Sequence, residues 1–253
     1  MDKVKRLNIV NSITGIKPGN LIGTISNDNF PNLAIFSSIV HLGSNPALLG
    51  FILRPQHKVR RDTYDNILEN GSYTVNHLPN HLTKNGHYTS VKFDKNQSEF
   101  EYCNFKKYYI NGFKAPFVKE SNLSIGMKFM ESIPIKANNT VMVVGCVEHV
   151  LVNEDALSDE GYIDLEILKS SGISGLNSYY KLTKIDSYPY ARISELPDFK
   201  KWKVIKKSFL LRYVRHVTDH FLGERNGKLI GNQFFTAAKN VNHKFCLIIL
   251  MIS

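Results

Sequence analysis

Three cysteines in 253 residues, Cys103, Cys146 and Cys246, are odd in number and far apart, which argues against a disulfide framework. No apolar run approaches the roughly 20 residues that a membrane helix needs, and the longest, Cys246 to Ile252, is far too short. The first residues, MDKVKRLNIVNSITG, lack the apolar core and small-residue cleavage site of a secretory signal. There is no G-x-G-x-x-G, no G-x-S-x-G elbow and no C-x-x-C pair. Gly223-Glu-Arg-Asn-Gly-Lys228 has the wrong spacing for a phosphate-binding loop and is followed by Leu229. Internal repeats and low-complexity tracts are missing too. The expectation from these absences is a soluble, reduced, cytoplasmic protein.

What is present is ordinary globular composition, 43% apolar and 21% charged, enough for one large domain or one domain with an appendage. The formal charge is +10, but it is not evenly spread. Residues 199–253 hold eleven lysines and arginines against Asp219 and Glu224, a net charge of +9, which leaves +1 for residues 1–198. A basic tail therefore makes a nearly neutral body look basic, and nucleic acid or membrane is not an expected partner of that body. Pro197 and Asp198 mark a boundary, giving a main domain over 1–197 and a basic extension over 198–253.

Short strand-like runs dominate the main domain. Strands are expected over 20–26, 32–42, 47–53, 72–77 and 141–152, the last with Gly145 as a bulge. Asn27 to Pro31 reads as a turn, and Asp159-Glu-Gly161 as a turn leading into Tyr162–Leu168. A helix is expected after the basic loop 54–61, with Asp62 as its cap and Gly71 as its end. Residues 79–97 suit a long loop with a short helix, and 98–102 one helical turn. This spacing of strands is that of a closed or sandwiched antiparallel sheet.

Chemistry concentrates in a few places. Arg54, Lys58, Arg60 and Arg61 run straight into the expected helix, whose N-terminal N–H groups suit a phosphate monoester, with the Thr63 hydroxyl as a further donor. The same residues also fit a solvated charge run at a surface turn, and Asp62 speaks against an anion directly at the cap. Ser37 and Ser38 interrupt an apolar strand, where buried hydroxyls need partners; a bound polar ligand or a local bulge would each provide them. His77, His81 and His87 do not form a metal-binding pattern, because Pro79 breaks any helical pairing and no cysteine or acidic cluster accompanies them.

Taken in order, several segments resemble the flavin reductase-like proteins with an FMN-binding split barrel. They are Asn20-Leu-Ile-Gly-Thr24, Asn32-Leu-Ala-Ile-Phe-Ser-Ser38 with His41-Leu-Gly-Ser44, Pro46-Ala-Leu-Leu-Gly50, Arg54-Pro55 and Arg60-Arg-Asp-Thr-Tyr-Asp-Asn-Ile67. Tyr73-Thr-Val-Asn76, His87-Tyr-Thr-Ser90, Ser98-Glu-Phe100, Ala115-Pro-Phe-Val118 and Gly175-Leu-Asn-Ser-Tyr-Tyr180 continue the series, which covers about residues 10–195. The resemblance implies a mainly β fold, a six-stranded antiparallel split barrel with a few helices, and a homodimer with FMN near the subunit interface. It places Asn32, Ser37 and Ser38 along the flavin, and Arg54, Arg60 and Thr63 on the phosphate, aided by Lys58. His87, Thr89 and Ser90 fall in a polar segment beside the cofactor. His41 is a candidate to tune the flavin or meet a substrate, and Tyr180 is a weaker candidate or a dimer contact. The implied activity is hydride transfer from NADH or NADPH to bound flavin, with electrons passed to an acceptor that could be a partner protein. Such chemistry needs no acid–base pair in the protein, and no catalytic residue is assigned.

The resemblance ends near residue 197. In Phe199-Lys-Lys-Trp-Lys-Val-Ile-Lys-Lys207, apolar residues and lysines alternate in a way that suits a basic amphipathic helix. The alternative reading of the whole chain is therefore a non-catalytic FMN-binding or ligand-binding barrel whose tail docks to a polyanion, a membrane or a partner protein.

Overall fold

The computed structural model describes residues 1–55, 62–94 and 96–199. The expectations for Lys58, Arg60, Arg61 and the basic tail beyond Phe199 lie outside the described residues. Asp2–Asp186 form one compact unit; the described part of the other contains a single short 3-10 turn, Ile193–Glu195.

In chain order the first unit contains α1 (Lys3–Ser12), β1 (Lys17–Pro18), β2 (Asn20–Ile25), β3 (Pro31–Phe36), β4 (Val40–Ser44), β5 (Ala47–Leu53), α2 (Asp62–Asn70) and β6 (Ser72–His77). There follow α3 (Thr83–Tyr88), α4 (Glu99–Tyr102), β7 (Lys107–Tyr108), β8 (Phe117–Val118), β9 (Leu123–Ile135), β10 (Thr140–Val152), β11 (Ser171–Ser174) and β12 (Ser178–Lys181). The main sheet has the order β3-β2-β6-β9-β10-β5-β4, antiparallel at every pairing. It therefore has seven strands, where the resemblance implied six. Against the runs expected from the sequence, two things differ: the run over 32–42 is two strands, β3 stopping at Phe36 and β4 beginning at Val40 at the opposite end of the strand order, and β9 joins the sheet.

The sheet curls because β3 and β5, five places apart in strand order, meet across the interior. The Phe36 and Phe51 rings pack edge to face at 5.1 Å, and Phe51 does the same against Tyr73 at 5.7 Å. Ile22, Leu53, Ile67, Val75, Met127 and Val143 fill the same core, with Ile67 entering from α2. The other face of β2 and β3 is also covered: Leu21 and Leu33 pack with Leu78, Phe100, Cys103, Phe105 and Val118. With both faces covered, all six residues of β2 are buried, the polar Asn20 and Thr24 among them.

Local signals explain the ends of α2 and the bend of the long hairpin. Gly71, at φ +68°, donates its N–H to Ile67 O at 2.8 Å and closes α2 as a left-handed cap. Gly145 does sit at an irregularity, where Val144 faces Glu131 but Gly145 faces Phe129, so the extra residue is Met130 on β9. Gly161, at φ +86°, makes the expected turn, but residues 165–169 are turns rather than a strand, held by the Asp164 carboxylate on the N–H groups of Glu166 and Ile167. Among the described residues no helix is long and apolar enough to cross a membrane.

Candidate functional site

The seam between β2, β3 and α2 is stitched by three side-chain hydrogen bonds, two of which join α2 to strands 31 and 42 positions away. Asn32 Nδ2 donates to Thr63 Oγ1 at 3.1 Å and to Thr24 Oγ1 at 3.3 Å. Asn66 Nδ2 donates to the same Thr24 oxygen at 3.1 Å. All four side chains are buried, so each hydrogen bond holds a group whose desolvation would otherwise be costly. The consequence for Thr63 is a fixed rotamer in the first turn of α2. Its oxygen accepts from Asn32, so the hydroxyl hydrogen is what it can offer to another acceptor.

At the other end of β3, Ser38 is locked to β5. Its Oγ accepts the Ile52 N–H at 3.1 Å and donates to Ile52 O at 3.3 Å. The hydroxyl is thus satisfied by backbone, as a break in the strand requires, and Ser37 sits half-buried beside it. Ile52 lies two residues before Arg54, which is exposed where the chain leaves β5. The structure thus links Asn32 to Thr63 and Ser38 to β5, the strand that leads to Arg54, as two separate sets of contacts. Six residues of extended chain separate Asn32 from Ser38, about 20 Å. The side chain of Asn32 belongs to the Thr63 end of that span and not to the serine end.

His41 is exposed on β4, with its Nε2 3.3 Å from the Ser44 hydroxyl. His87, Thr89 and Ser90 form a separate group at the end of α3. Thr89 Oγ1 donates to Gly86 O at 2.8 Å and Ser90 Oγ to His87 O at 2.7 Å, so both hydroxyls cap the helix that carries them. His87 Nδ1 lies 3.0 Å from Tyr179 OH on β12, and the two rings meet edge to face. Burial pushes the Tyr179 phenol up to about 12, which keeps it neutral. Of the other histidines considered, His77 Nδ1 bonds to Ser170 Oγ at 3.1 Å, and His81 is at the surface turn before α3.

Thr24, Asn66 and Tyr179 are the participants that the sequence reading passed over. Asn66 lies three residues after Thr63, one helical turn along the same face, which was the available signal. Tyr179 carried the hydrogen bond to His87, whereas its neighbour Tyr180, nearly half exposed, was the residue singled out.

Set beside known proteins, residues 16–166 match the family described as the flavin reductase like domain. A candidate flavin reductase with a split barrel domain from Shewanella frigidimarina NCIMB 400 is 40% identical, with a TM-score of 0.72 over 76% of this chain and 94% of its own. Nitrilotriacetate monooxygenase component B from Bacillus cereus superposes with a TM-score of 0.67 at 20% identity, over 74% of this chain and 95% of its own. The flavoredoxin of Desulfovibrio vulgaris (Miyazaki F) gives 0.61 at 21% identity, over 70% and 92%. The last two share the fold.

Proposed function

From the premise that this chain belongs to the flavin reductase-like family, with a split-barrel fold, we propose that it is an FMN-binding oxidoreductase. It takes hydride from NADH or NADPH and passes the electrons to an acceptor. The observation that carries this reading is the Asn32–Thr63 hydrogen bond, which fixes a hydroxyl in the first turn of α2, at the helix end with a partial positive charge. Thr63 with the exposed Arg54 guanidinium supplies the donors that a phosphate monoester requires. The donor set therefore fits the phosphate of FMN, and Lys58 and Arg60 lie between these two residues in the sequence.

Bound FMN would supply the two-electron chemistry. The chain's own residues bind and orient: Thr63 and Arg54 hold the phosphate, Asn32 holds Thr63, and the Ser37–Ser38 break offers backbone along the ring system. His41 and His87 retain their places as candidates to touch flavin or substrate. No proton-transferring residue is assigned, since orientation and exclusion of water are what hydride transfer asks of the protein.

A homodimer is part of the proposal. Ile133, Met142 and Ile52 are paired across β9, β10 and β5 and share the outer face of the sheet. Ile133 there, and Val40 and Leu42 on neighbouring β4, remain exposed. Light scattering should give twice the chain mass. The reductase reading is tested by absorbance spectra of the purified protein with FMN, then with NADH and with NADPH. Flavin bands that bleach with a nicotinamide support it; bound flavin that neither nucleotide bleaches refutes the donor, and no flavin binding refutes the reading.

A further inference from the structure

Beside α3, the Asn80–Leu82 turn and β12 enclose an open groove of about 890 Å3 that adjoins a hollow of about 430 Å3, the two sharing Thr83 and Tyr179. Of the residues considered above for the flavin, His87 and the weaker candidate Tyr180 line this surface. Its charge is one-sided. Lys169 and Lys181 line the groove and Lys84 the hollow, against the single carboxylate of Glu166. That carboxylate is engaged, accepting the Lys184 N–H at 2.9 Å. Aromatic surface comes from Tyr179 on β12, which lines both the groove and the hollow.

The walls are held in place. Tyr179 is fixed through its hydroxyl by His87. Lys169 occupies the left-handed region at φ +53°, a conformation that costs a lysine about 1–2 kcal/mol and glycine almost nothing. Its backbone is pinned on both sides, donating to Glu166 O at 3.0 Å and accepting from Asn80 N at 2.8 Å. Asn122 Nδ2 holds the preceding carbonyl, Leu168 O, at 3.0 Å. Such a conformation persists only where the surrounding contacts over-determine it, and here they fix the Lys169 backbone at the groove wall. The volume falls within the range of small-molecule sites.

We propose that this groove is a second ligand site, for a phosphorylated aromatic compound of nucleotide size, with its ring on Tyr179 and its phosphate drawn to Lys169 and to Lys181, which shares the Tyr179 face of β12. The aromatic walls alone would admit neutral rings, and the lysines alone would admit any anion. Both together select a ligand with both features.

The test is calorimetric titration of the full chain, saturated with FMN, using adenosine monophosphate, adenosine and inorganic phosphate as probes. The monophosphate should bind about tenfold or more tightly than either fragment. Lys169→Ala with Lys181→Ala should weaken it by about tenfold or more while leaving FMN affinity unchanged, and Tyr179→Leu should weaken the monophosphate but not inorganic phosphate. Equal affinity for the monophosphate and inorganic phosphate overturns the proposal, as does a double lysine variant that binds normally. A parallel loss of FMN affinity in that variant would assign the groove to the flavin and likewise overturn it. Failure of the wild-type chain to bind FMN sinks the flavin reading alone, because the same comparison of probes and variants then proceeds without FMN.

Discussion

Lowering the pH should destabilise this protein through His77, and replacing that residue should remove the effect. His77 ends β6, opposite Asn20 on β2, with Nδ1 on the Ser170 hydroxyl. Part of the residue reaches solvent, yet protein crowds the imidazole, and burial lowers its pKa from 6.5 to about 4. In the window between these values the unfolded chain binds a proton that the folded chain does not. The stabilisation from a neutral His77 is therefore complete above 6.5 and is lost progressively as the pH falls toward 4. At 1.36 kcal/mol per pKa unit the full swing is about 3 kcal/mol, of which about 2 kcal/mol has gone by pH 5. Because the residue is not wholly enclosed, these figures are ceilings. The assay is urea unfolding at a series of pH values from 8 to 5, for the wild type and His77→Gln. The variant should lose about 1 kcal/mol at pH 8 from the altered Ser170 contact, but its stability should fall less steeply with acid. Carboxylate protonation acts equally on both chains and cancels in the difference. Parallel stability curves for the two proteins would refute the reasoning, as would an NMR titration placing the His77 midpoint near 6.5.

Other consequences follow from the same contacts. Thr63→Val keeps the packing of α2 but removes the hydroxyl, and should weaken FMN binding by about 1.5–3 kcal/mol in a fluorescence titration; unchanged affinity would show the phosphate to lie elsewhere. Glu99→Ala strips the acceptor from the buried Leu33 N–H, held at 2.9 Å, and should cost about 1–3 kcal/mol in denaturant midpoint analysis. A Cβ at Gly145 would overlap the Tyr73 hydroxyl and lie 3.0 Å from Lys128 O, so Gly145→Ala should destabilise by about 1–3 kcal/mol. Adding Tyr73→Phe should recover part of that loss, and no recovery would place the clash at the backbone instead.

How far the sequence discloses this architecture depends on the element. β2, β5, β6 and β10 are legible because apolar or β-branched runs are bounded by turn residues. α2 is legible from its acidic first turn and Gly71. β9 is less legible although Leu123, Ile125, Met127 and Phe129 alternate, because Glu131 interrupts the apolar series before Ile133 and Ile135 resume it, and the bulge at Met130 lies at that interruption. α1 went unassigned because it buries nothing, and only the Asp2 carboxylate on the Lys5 N–H, at 2.9 Å, marks its start. In the candidate site, residue types announced donors, but partnership is a tertiary property. Nothing in the spacing of Asn32 and Thr63 shows that they touch, and nothing about Ser38 shows that its hydroxyl is spent on Ile52.

β3 is the terminal strand of the seven, and a bare strand margin is a template on which another chain can grow. Here two side chains from the start of α4 occupy it: Ser98 Oγ donates to Pro31 O at 2.7 Å, and Glu99 accepts the Leu33 N–H. Pro31 itself has no N–H to offer. A helix of four residues thus serves as a surrogate strand, and it spares the barrel the risk of polymerising through its own seam.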